Sequence, residues 1–313
     1  MPRVSVGLPV HNGEAYLAEA IEAILGQSFA DLELIVSDNA SSDTTEEIVR
    51  GFEAADERIS FQRHERNLGA APNFNLTFQR ASGEYFAWAA HDDVLEPEFL
   101  ARCVEALDAD PGAVIACTGV RFIDADGATL GDYRPATSRL DSENPVERFA
   151  DLILNDHLCL EVFGLMRAEA LRRTSLLGGY VNSDRVLLAE LGLRGRFLRV
   201  PEPLFLSRDH PERSVRATPF HLRGPWYDSL NAGRRSFPHL RTVAEYRRAV
   251  RTTPLSAVQR RRCLWQLARW PTVNMNWARA LSDLVIGLDP RLAALLLRLK
   301  RRFYRGDRGW DAL

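Results

Sequence analysis

The sequence predicts an α/β fold in which a Rossmann-like, mostly parallel sheet is flanked by helices and followed by a helical C-terminal extension. Three observations predict it. Strand and helix patterns alternate through the first half of the chain, which is typical of βα units. The strand segments are continuous apolar runs, as expected for a sheet that is covered on both faces. Strand patterns then stop near residue 215, and helical patterns fill the remainder.

The elements of the first half follow from hydrophobic pattern and capping signals. Helix 14–27 keeps its apolar residues on one face, helix 43–55 has Thr and Glu in its first turn, and helix 71–81 has Pro72 where a first turn tolerates it. In chain order, we predict strand 4–10, helix 14–27, strand 32–37, helix 43–55, strand 59–63, helix 71–81, strand 85–90, a helix opening at Pro97 and strand 114–123.

Segment 84–90 is the most informative strand. Six of its seven residues are apolar, and the run ends abruptly at His91-Asp92-Asp93. This pattern predicts a buried strand that delivers two carboxylates at its C-terminal end. Further on, Asp126-Gly127 is a turn signal, which indicates an antiparallel neighbour for the preceding strand.

The second half changes character near residue 215. Before this point, helices mix with the strands 161–166 and 196–200, and a helix is expected at 185–191. After it, the predicted helices are 244–250, 256–268, 277–285 and 291–304. We therefore predict an α/β domain of residues 1–215 and a helical region of residues 216–313.

Charge is distributed unevenly between these two parts. The 313 residues carry a net charge of −2, but residues 1–215 hold 20 Arg and Lys against 36 Asp and Glu, whereas residues 216–313 hold 20 against 6. A basic region on an acidic body fits an anionic partner, such as a membrane surface or a nucleic acid. It equally fits charge complementarity between the two parts of one molecule.

Cysteines and apolar runs indicate the compartment. Cys103, Cys117, Cys159 and Cys263 are far apart and lack metal-type spacing, so buried free thiols in a reducing cytoplasm are expected. We expect no signal peptide before the first strand, and no apolar run approaches the roughly 20 residues that cross a bilayer. We expect a cytoplasmic protein, with the inner face of the membrane as an alternative.

Polar residues follow three strands of the predicted sheet, at His11-Asn12-Gly13-Glu14, at Asp38 and at His91-Asp92-Asp93. Carboxyl ends of parallel strands meet at one edge, where open α/β sheets bind ligands. Adjacent carboxylates repel each other unless a cation lies beside them, and a hard divalent cation with oxygen ligands usually carries phosphates. The glycine fingerprints of dinucleotide and P-loop sites are absent, so a nucleotide site built from carboxylates, amides and a metal remains.

Five segments in this order resemble glycosyltransferase family 2, whose members have the GT-A fold. They are 6–12, 35–43, Asn67-Leu68-Gly69, His91-Asp92-Asp93 and 179–184, and the resemblance covers roughly residues 3–212. It implies a divalent-metal-dependent, inverting, hexosyltransferase-like enzyme of polysaccharide or glycoconjugate biosynthesis. Such an enzyme moves a sugar from a nucleotide-diphosphate donor to an acceptor hydroxyl.

The resemblance also implies a nucleoside pocket. Pro9, His11 and Asp38 are expected to line it, with the ring of His11 on the base and Asp38 accepting from a base N–H. Many family members have Tyr where this chain has His11, and an ordinary loop histidine is the alternative.

Three further residues are implied to bind the nucleotide. Asn12 and Glu14 belong to the first loop, and Asn67 is expected near the base or ribose. The alternative for Asn67 is a simple turn former beside Gly69.

The acidic motif differs from the family's usual Asp-x-Asp, because His91 takes the first Asp position. By the family pattern Asp93 binds Mn²⁺ or Mg²⁺, and Asp92 reaches the ribose. Diphosphate oxygens and waters are expected to complete the shell. The alternative for Asp93 is an N-cap of the helix that opens at Pro97.

A polar cluster follows the last strand. His210 is a candidate metal ligand, and Arg208, Arg213 and His91 are tentative contacts to the diphosphate or acceptor. An ordinary solvated loop is the alternative for residues 208–214.

Asp184 is the candidate general base, because an inverting transfer needs one carboxylate to take the proton of the attacking hydroxyl. It precedes a predicted helix, so an N-cap is the alternative role.

The expected partners are the nucleotide-sugar donor and a saccharide, lipid-linked or small-molecule acceptor, with no nucleic acid. Segment 292–305 is apolar and then basic and aromatic, which fits either an anionic bilayer interface or a helix packed on the α/β domain.

Two rival functions remain open. A sugar nucleotidyltransferase also uses carboxylate-bound Mg²⁺, but residues 7–14 lack its glycine-rich basic loop. A non-catalytic, membrane-associated sugar-nucleotide-binding protein would bind the donor without turnover.

Overall fold

The computed structural model describes residues 1–213, 223–235 and 237–288, and within them one mixed sheet of nine strands is surrounded by helices. The strands are β1 (Val4–Val10), β2 (Leu32–Asp38), β3 (Ile59–Arg63), β4 (Tyr85–Trp88), β5 (Val94–Leu95), β6 (Ala113–Ile123), β7 (Thr129–Asp132), β8 (Leu165–Arg167) and β9 (Arg196–Arg208). The helices are α1 (Leu17–Leu25), α2 (Thr45–Ala55), α3 (Ala70–Arg80), α4 (Phe99–Ala109), α5 (Pro145–Leu154), α6 (Ala168–Arg172), α7 (Ser183–Arg194), α8 (Gly224–Tyr227), α9 (Pro238–Thr252), α10 (Ala257–Arg269) and α11 (Asn276–Leu288).

The sheet order is β3-β2-β1-β4-β8-β6-β9-β5, with β7 beside β6. Strands β3, β2, β1 and β4 run parallel, so their carboxyl ends meet at one edge. Strands β6 and β9 are also parallel, while β8, β5 and β7 pair antiparallel with their neighbours. The predicted α/β architecture is confirmed, as is the hairpin at Asp126-Gly127, where Gly127 adopts φ +85°.

Strand β4 shows why the apolar runs are continuous. Tyr85 and Ala87 face one apolar core, which also holds α1 and α4, whereas Phe86 and Trp88 face a second core with α3 and α7. Alternate side chains of the same strand are therefore buried on opposite faces of the sheet. All four cysteines are buried free thiols, as predicted.

A third apolar core joins the C-terminal helices to the α/β part. Helices α5 and α7 contribute one side of it, and Tyr246 of α9 with Cys263 of α10 contribute the other. Helix α7 is consequently buried on most of its circumference, because it lies between the second and third cores. The described helices of the basic region therefore pack on the acidic body, while segment 292–305 lies outside the described residues.

The predicted strand 161–166 is wrong in its first part. Residues Leu160–Phe163 form a 3₁₀ turn, and only Leu165–Arg167 pairs in the sheet as β8. The turn follows Cys159 at φ +60° and buries Glu161, whose carboxylate lies 3.8 Å from His157 and 3.7 Å from Arg199. The apolar periodicity of segment 161–166 contains no sign of these charge contacts, so this pattern alone does not reveal the turn.

Strand β9 is longer than the predicted 196–200. It continues to Arg208 through Pro201 and Pro203, and its pairing register with β6 shifts between Thr118 and Val120. A bulge at this point accommodates prolines that cannot donate to a regular ladder. The extension carries the chain to the polar cluster that follows the strand.

No helix in the described ranges is long and apolar enough to cross a bilayer.

Leu8 of β1 is fully buried between the sheet and its helices, whereas Leu130 of β7 is 57% exposed. Leu8→Ala should lower the free energy of unfolding by about 2–5 kcal/mol, because it leaves a cavity in a packed core. Leu130→Ala should change it by less than about 0.5 kcal/mol. Urea unfolding followed by circular dichroism measures both, and equal losses would contradict the assigned burial.

Candidate active site

The first two strand-end loops are joined by hydrogen bonds. Asn12, at φ +53°, donates its backbone N–H to Ser41 Oγ at 2.8 Å, and its side-chain Oδ1 accepts from the backbone of Ser42 at 2.9 Å. Gly13 donates its backbone N–H to Thr45 Oγ1 at 2.9 Å. The predicted nucleotide contact Asn12 thus already holds the two loops together.

Pro9, His11 and Glu14 occupy different environments in the first loop. Pro9 is buried within β1, and His11 is exposed just beyond it. Glu14 Oε2 accepts from the backbone N–H and hydroxyl of Thr44 at 3.2 and 2.9 Å, at the start of α2. Of these three, His11 is the side chain that is free to meet a ligand at the sheet edge.

Asp38 is fully buried at the end of β2. Its Oδ1 accepts from the backbone N–H and hydroxyl of Ser41 at 2.9 and 2.5 Å, and its Oδ2 accepts from Arg63 Nε at 3.1 Å. Arg63 itself is 41% exposed. Sequence reasoning missed Arg63, which ends the neighbouring strand β3. Its guanidinium also pairs with Glu46 at 3.2 Å and donates to Ser41 O at 2.8 Å.

Asn67 forms the turn that the alternative interpretation describes. Its Oδ1 accepts from Gly69 N–H at 2.8 Å and from Asn39 Nδ2 at 3.0 Å. Asn39, another residue missed at the sequence level, also accepts from Leu68 N–H at 2.8 Å. Gly69 adopts φ +92°, and a Cβ there would lie 2.6 Å from the backbone of Asp228, so only glycine fits.

The acidic motif meets the polar cluster that follows β9. Asp92 Oδ2 accepts from His210 Nε2 at 2.9 Å, and Asp93 Oδ1 accepts from the backbone N–H of Arg208 at 2.8 Å. The N-cap of α4 is Glu98, so the alternative role of Asp93 as that cap is excluded. The two segments, predicted separately, form one buried site.

The pKa values of the two carboxyl groups shift in opposite directions. Burial opposes ionisation of both. For Asp92, the hydrogen bond from His210 and the nearby His91 and Arg213 outweigh burial and hold its pKa below the ordinary value. For Asp93, burial and then the charge of Asp92 raise the pKa to about 7. Such separated pKa values mark functional sites.

His91 lies between the first loop and the acidic motif. A Cβ on Gly13 would lie 3.0 Å from its ring, so the absent side chain makes room for this imidazole. Burial lowers the pKa of His91, which therefore favours the neutral form. Its expected contact to diphosphate or acceptor stays a prediction.

Arg208 is bonded within the protein, and its expected contact to diphosphate or acceptor stays a prediction. It is 2% exposed, and its guanidinium donates to Asp92 main-chain O at 3.0 Å and to Glu19 Oε2 at 2.6 Å. The guanidinium also lies 4.6 Å from the ring centre of Tyr16. A ligand that contacted the Arg208 guanidinium would have to replace these bonds. In the structure Arg208 stabilises the acidic motif.

Arg213 is better placed for a ligand than Arg208, whereas His210 is buried and bonded to Asp92. Arg213 is partly exposed and donates to Ser207 Oγ at 2.9 Å, and its charge lowers the pKa of both Asp92 and Asp93. His210 packs its ring 5.1 Å from that of Tyr16. The described cluster is therefore an ordered site and not a solvated loop.

A divalent cation fits this site only with outside ligands. Within the described residues, no group of three or more His, Cys, Asp or Glu side chains is arranged to hold a metal ion. Asp92 and His210 already bond to each other, whereas the buried Asp93 is destabilised as an anion and gains from an adjacent positive charge. The donor set suits a cation that brings phosphate oxygens and water with it.

Asp184 lies in the first turn of α7, after the N-cap Asn182 at φ +69°. Its Oδ1 accepts from Arg185 N–H at 2.8 Å. After burial, the charge of Asp184 is the next cause that raises the pKa of the Cys159 thiol and the Tyr227 hydroxyl, so both groups lie near it. None of these contacts involves the acidic motif, and the alternative role as N-cap residue is excluded.

Comparison with known proteins assigns the family. The model of "Glycosyl transferase family 2" matches residues 5–176, more than half of the chain. The chain belongs to glycosyl transferase family 2. The match contains the first three strand-end loops and the acidic motif, and it ends before Asp184.

Curated relatives resemble the N-terminal part. An uncharacterised glycosyltransferase of Rickettsia typhi is 33% identical over 135 residues, which are 43% of this chain and 41% of the relative. The putative teichuronic acid biosynthesis glycosyltransferase TuaG of Bacillus subtilis is 32% identical over 139 residues, which are 44% of this chain and 55% of TuaG. The chain thus spans about half the length of these relatives.

Solved structures resemble nearly the whole chain. Residues 1–349 of Staphylococcus aureus TarS, in complex with UDP, align with a TM-score of 0.62 at 16% identity and cover 94% of this chain and 83% of that one. The mannosyltransferase PcManGT from Pyrobaculum calidifontis, in complex with GDP-Man and Mn²⁺, aligns with a TM-score of 0.56 at 19% identity and covers 99% and 83%. The fold is of the GT-A type with C-terminal helices, as predicted.

The raised pKa of Asp93 makes stability depend on pH. Between about pH 4 and about pH 7 the folded protein holds a proton that the unfolded chain has released, so the free energy of unfolding should fall as the pH rises. Asp93→Asn should remove most of this fall. Urea unfolding in EDTA across this range measures it, with exposed Asp126→Asn as the control. An unchanged slope in Asp93→Asn would contradict the assignment.

Proposed function

We propose that this protein is an inverting glycosyltransferase that moves a sugar from a nucleoside-diphosphate donor to an acceptor hydroxyl, with Mn²⁺ or Mg²⁺ at Asp93. The observation that carries the proposal is the joining of His91-Asp92-Asp93 to His210 and Arg213 at the edge where β1, β2 and β4 end. Membership of glycosyl transferase family 2 supports the reaction class. The UDP and GDP-Man held by structurally similar proteins support a nucleotide-sugar donor.

Donor binding follows from charges at this edge. The diphosphate is anionic, and Arg213 offers a partly exposed guanidinium beside the two carboxylates. A divalent cation held by Asp93 would supply charge that stabilises the departing diphosphate. His210 and Arg208 fix Asp92 and Asp93 in place, so little reorganisation accompanies binding.

Nucleoside recognition uses the first three loops. His11 is exposed at the end of β1 and can stack on a base, while Arg63 presents N–H donors at the end of β3. Asp38, Asn39 and Asn67 keep these loops in register through their hydrogen bonds. In this pocket Asp38, Asn39 and Asn67 position the loops. His11 and Arg63 contact the nucleoside.

Asp184 is proposed to take the proton of the attacking acceptor hydroxyl. It lies in the first turn of α7, where its Oδ1 accepts from the backbone N–H of Arg185 at 2.8 Å. Direct attack on the anomeric carbon then inverts its configuration, and no second carboxylate is needed for a covalent intermediate.

Nucleotide binding can be tested by thermal shift. A saturating nucleoside diphosphate at about a hundredfold excess over Kd should stabilise the protein by about 2.7 kcal/mol, and more in Mn²⁺ than in EDTA. Asp93→Asn should lose the metal-dependent part, and its metal-free melting temperature should not fall below that of the wild type. Asp126→Asn should behave as the wild type. A lack of metal-enhanced stabilisation with UDP, GDP, ADP and TDP alike would count against the proposal.

Catalysis can be separated from binding at Asp184. Asp184→Asn should lower the rate of sugar transfer by about 10²–10⁴-fold, because it removes the general base, while nucleotide binding by thermal shift stays intact. Asp126→Asn is again the control. Release of nucleoside diphosphate and NMR of the product anomer are the measurements. Pyrophosphate release from a nucleoside triphosphate would instead favour a nucleotidyltransferase, and retained anomeric configuration would refute inversion.

A further inference from the structure

A large open cleft lies beside the nucleotide site and meets it where Asp228 packs against Gly69. It encloses about 1030 Å³ between the loop before α7, the segment that contains α8, and the side of α9. Its lining includes Gly179 and Tyr180 from the loop, Asp228 and Asn231 from the segment, and Glu245 from α9. This volume matches that of sites which hold small organic ligands or short oligomers.

The cleft carries an excess of positive charge. Four arginines line it, Arg234, Arg235, Arg241 and Arg248, against two acidic residues, Asp228 and Glu245. Because four guanidinium groups face two carboxylates, the local field favours an anion.

The two carboxylates are already used within the protein. Glu245 accepts from Arg241 Nε at 2.8 Å and from Arg248 Nε at 2.5 Å, and Asp228 Oδ1 accepts from Leu230 N–H at 2.9 Å. Each is therefore engaged away from Arg234 and Arg235.

Arg234 and Arg235 differ from the other two arginines. Both are exposed, and within the described residues no ion pair engages either guanidinium. A guanidinium offers five N–H donors in a geometry that matches phosphate and carboxylate. The unpaired positive charge of the cleft is therefore concentrated at these two neighbouring residues.

The cleft is built rather than accidental, because its walls are bonded to each other. Asn231 Nδ2 donates to Gly179 O at 2.6 Å, and Asn182 Nδ2 donates to Thr242 Oγ1 at 3.4 Å. The guanidinium of Arg241 also lies 5.1 Å from the ring centre of Tyr180. Loop, segment and α9 thus hold a fixed relative position.

The loop before α7 is followed directly by Asp184, the proposed general base. Ser183 N–H donates to Tyr180 O at 3.2 Å, and Asp184 follows in the first turn of α7. Burial and then the charge of Asp184 raise the pKa of Tyr227 in α8, so Tyr227 lies near Asp184. Asp184 does not line the cleft itself, but the loop and the α8 segment that line it both adjoin Asp184.

We infer that this cleft binds an anionic acceptor, in which phosphate or carboxylate groups pair with Arg234 and Arg235 while a hydroxyl is presented to Asp184. The ligand class rests on the charge and geometry of the cleft, and its role as acceptor rests on the proposed function. Nucleotide binding at the acidic motif uses none of these cleft residues.

The test is calorimetric titration without donor, with three probes: an oligomer of glycerol phosphate, an oligomer of galacturonic acid and neutral maltotetraose. One or both anionic oligomers should bind more tightly than maltotetraose, and which one binds separates phosphate from carboxylate recognition. The double substitution Arg234→Glu and Arg235→Glu should weaken that binding at least about tenfold, because two attractive charges become repulsive.

The matched control is Arg261→Glu with Arg262→Glu. These arginines are equally exposed, lie on α10 and do not line the cleft, so the change in net charge is identical. The control should bind the anionic oligomers as the wild type does, and both double variants should keep the nucleotide- and Mn²⁺-dependent thermal shift.

Three results would overturn the inference: no preference for either anionic oligomer, undiminished binding by the cleft variant, or equal loss in the control. Failure of the proposed function has a different signature, since it abolishes the nucleotide-dependent thermal shift of the wild type and leaves the oligomer titrations unaffected.

Discussion

Two adjacent carboxyl groups, Asp92 and Asp93, are buried after strand β4. The contacts of the surrounding residues offset the free-energy cost of burying their charge. Asp92 is compensated by His210 and by the charges near it, whereas Asp93 receives a backbone N–H and remains reluctant to ionise. Burying charge without a partner is costly, so the fold must supply support from elsewhere. It does so through the end of β9, which passes beside the motif after the register shift that its prolines require.

Arg208 shows how far this support reaches. Its backbone holds Asp93, its Nε holds the main chain of Asp92, and its far end pairs with Glu19 of α1. Glu19 and Arg208 are 189 positions apart in the sequence. The motif is thus bonded to the first helix and to the last strand of the α/β part, so the site is rigid. Within it, the negative charge of Asp93 is only partly compensated. That is the condition in which an added cation and its phosphates bring the largest gain.

The sequence predicted what local patterns encode. Strands 4–10 and 59–63 agree with β1 and β3 residue for residue, because the first is a buried apolar segment and the second alternates apolar and polar residues at its start. The strand-end loops also converge as expected from parallel pairing. Contacts between distant residues are not encoded in this way. Glu161 in the 3₁₀ turn before β8 lies 3.7 Å from Arg199 of β9, and Arg208 is paired with Glu19 of α1.

Helix α7 links the two halves of the molecule and sets the place of the proposed base. Leu187, Leu188 and Leu191 face the core beneath the sheet, whereas Val186 and Ala189 face the core shared with α9 and α10. A boundary near residue 215 therefore divides the chain by charge and element type, but not into separately buried cores, because α7 would lose one apolar face without the C-terminal helices. The same arrangement makes α9 both the cover of α7 and a wall of the arginine-lined cleft. Packing of the helical region therefore fixes the position of the cleft relative to the proposed base. The segment at Asp228 also contacts the turn at Gly69, so the same packing links the cleft to the loops at the sheet edge.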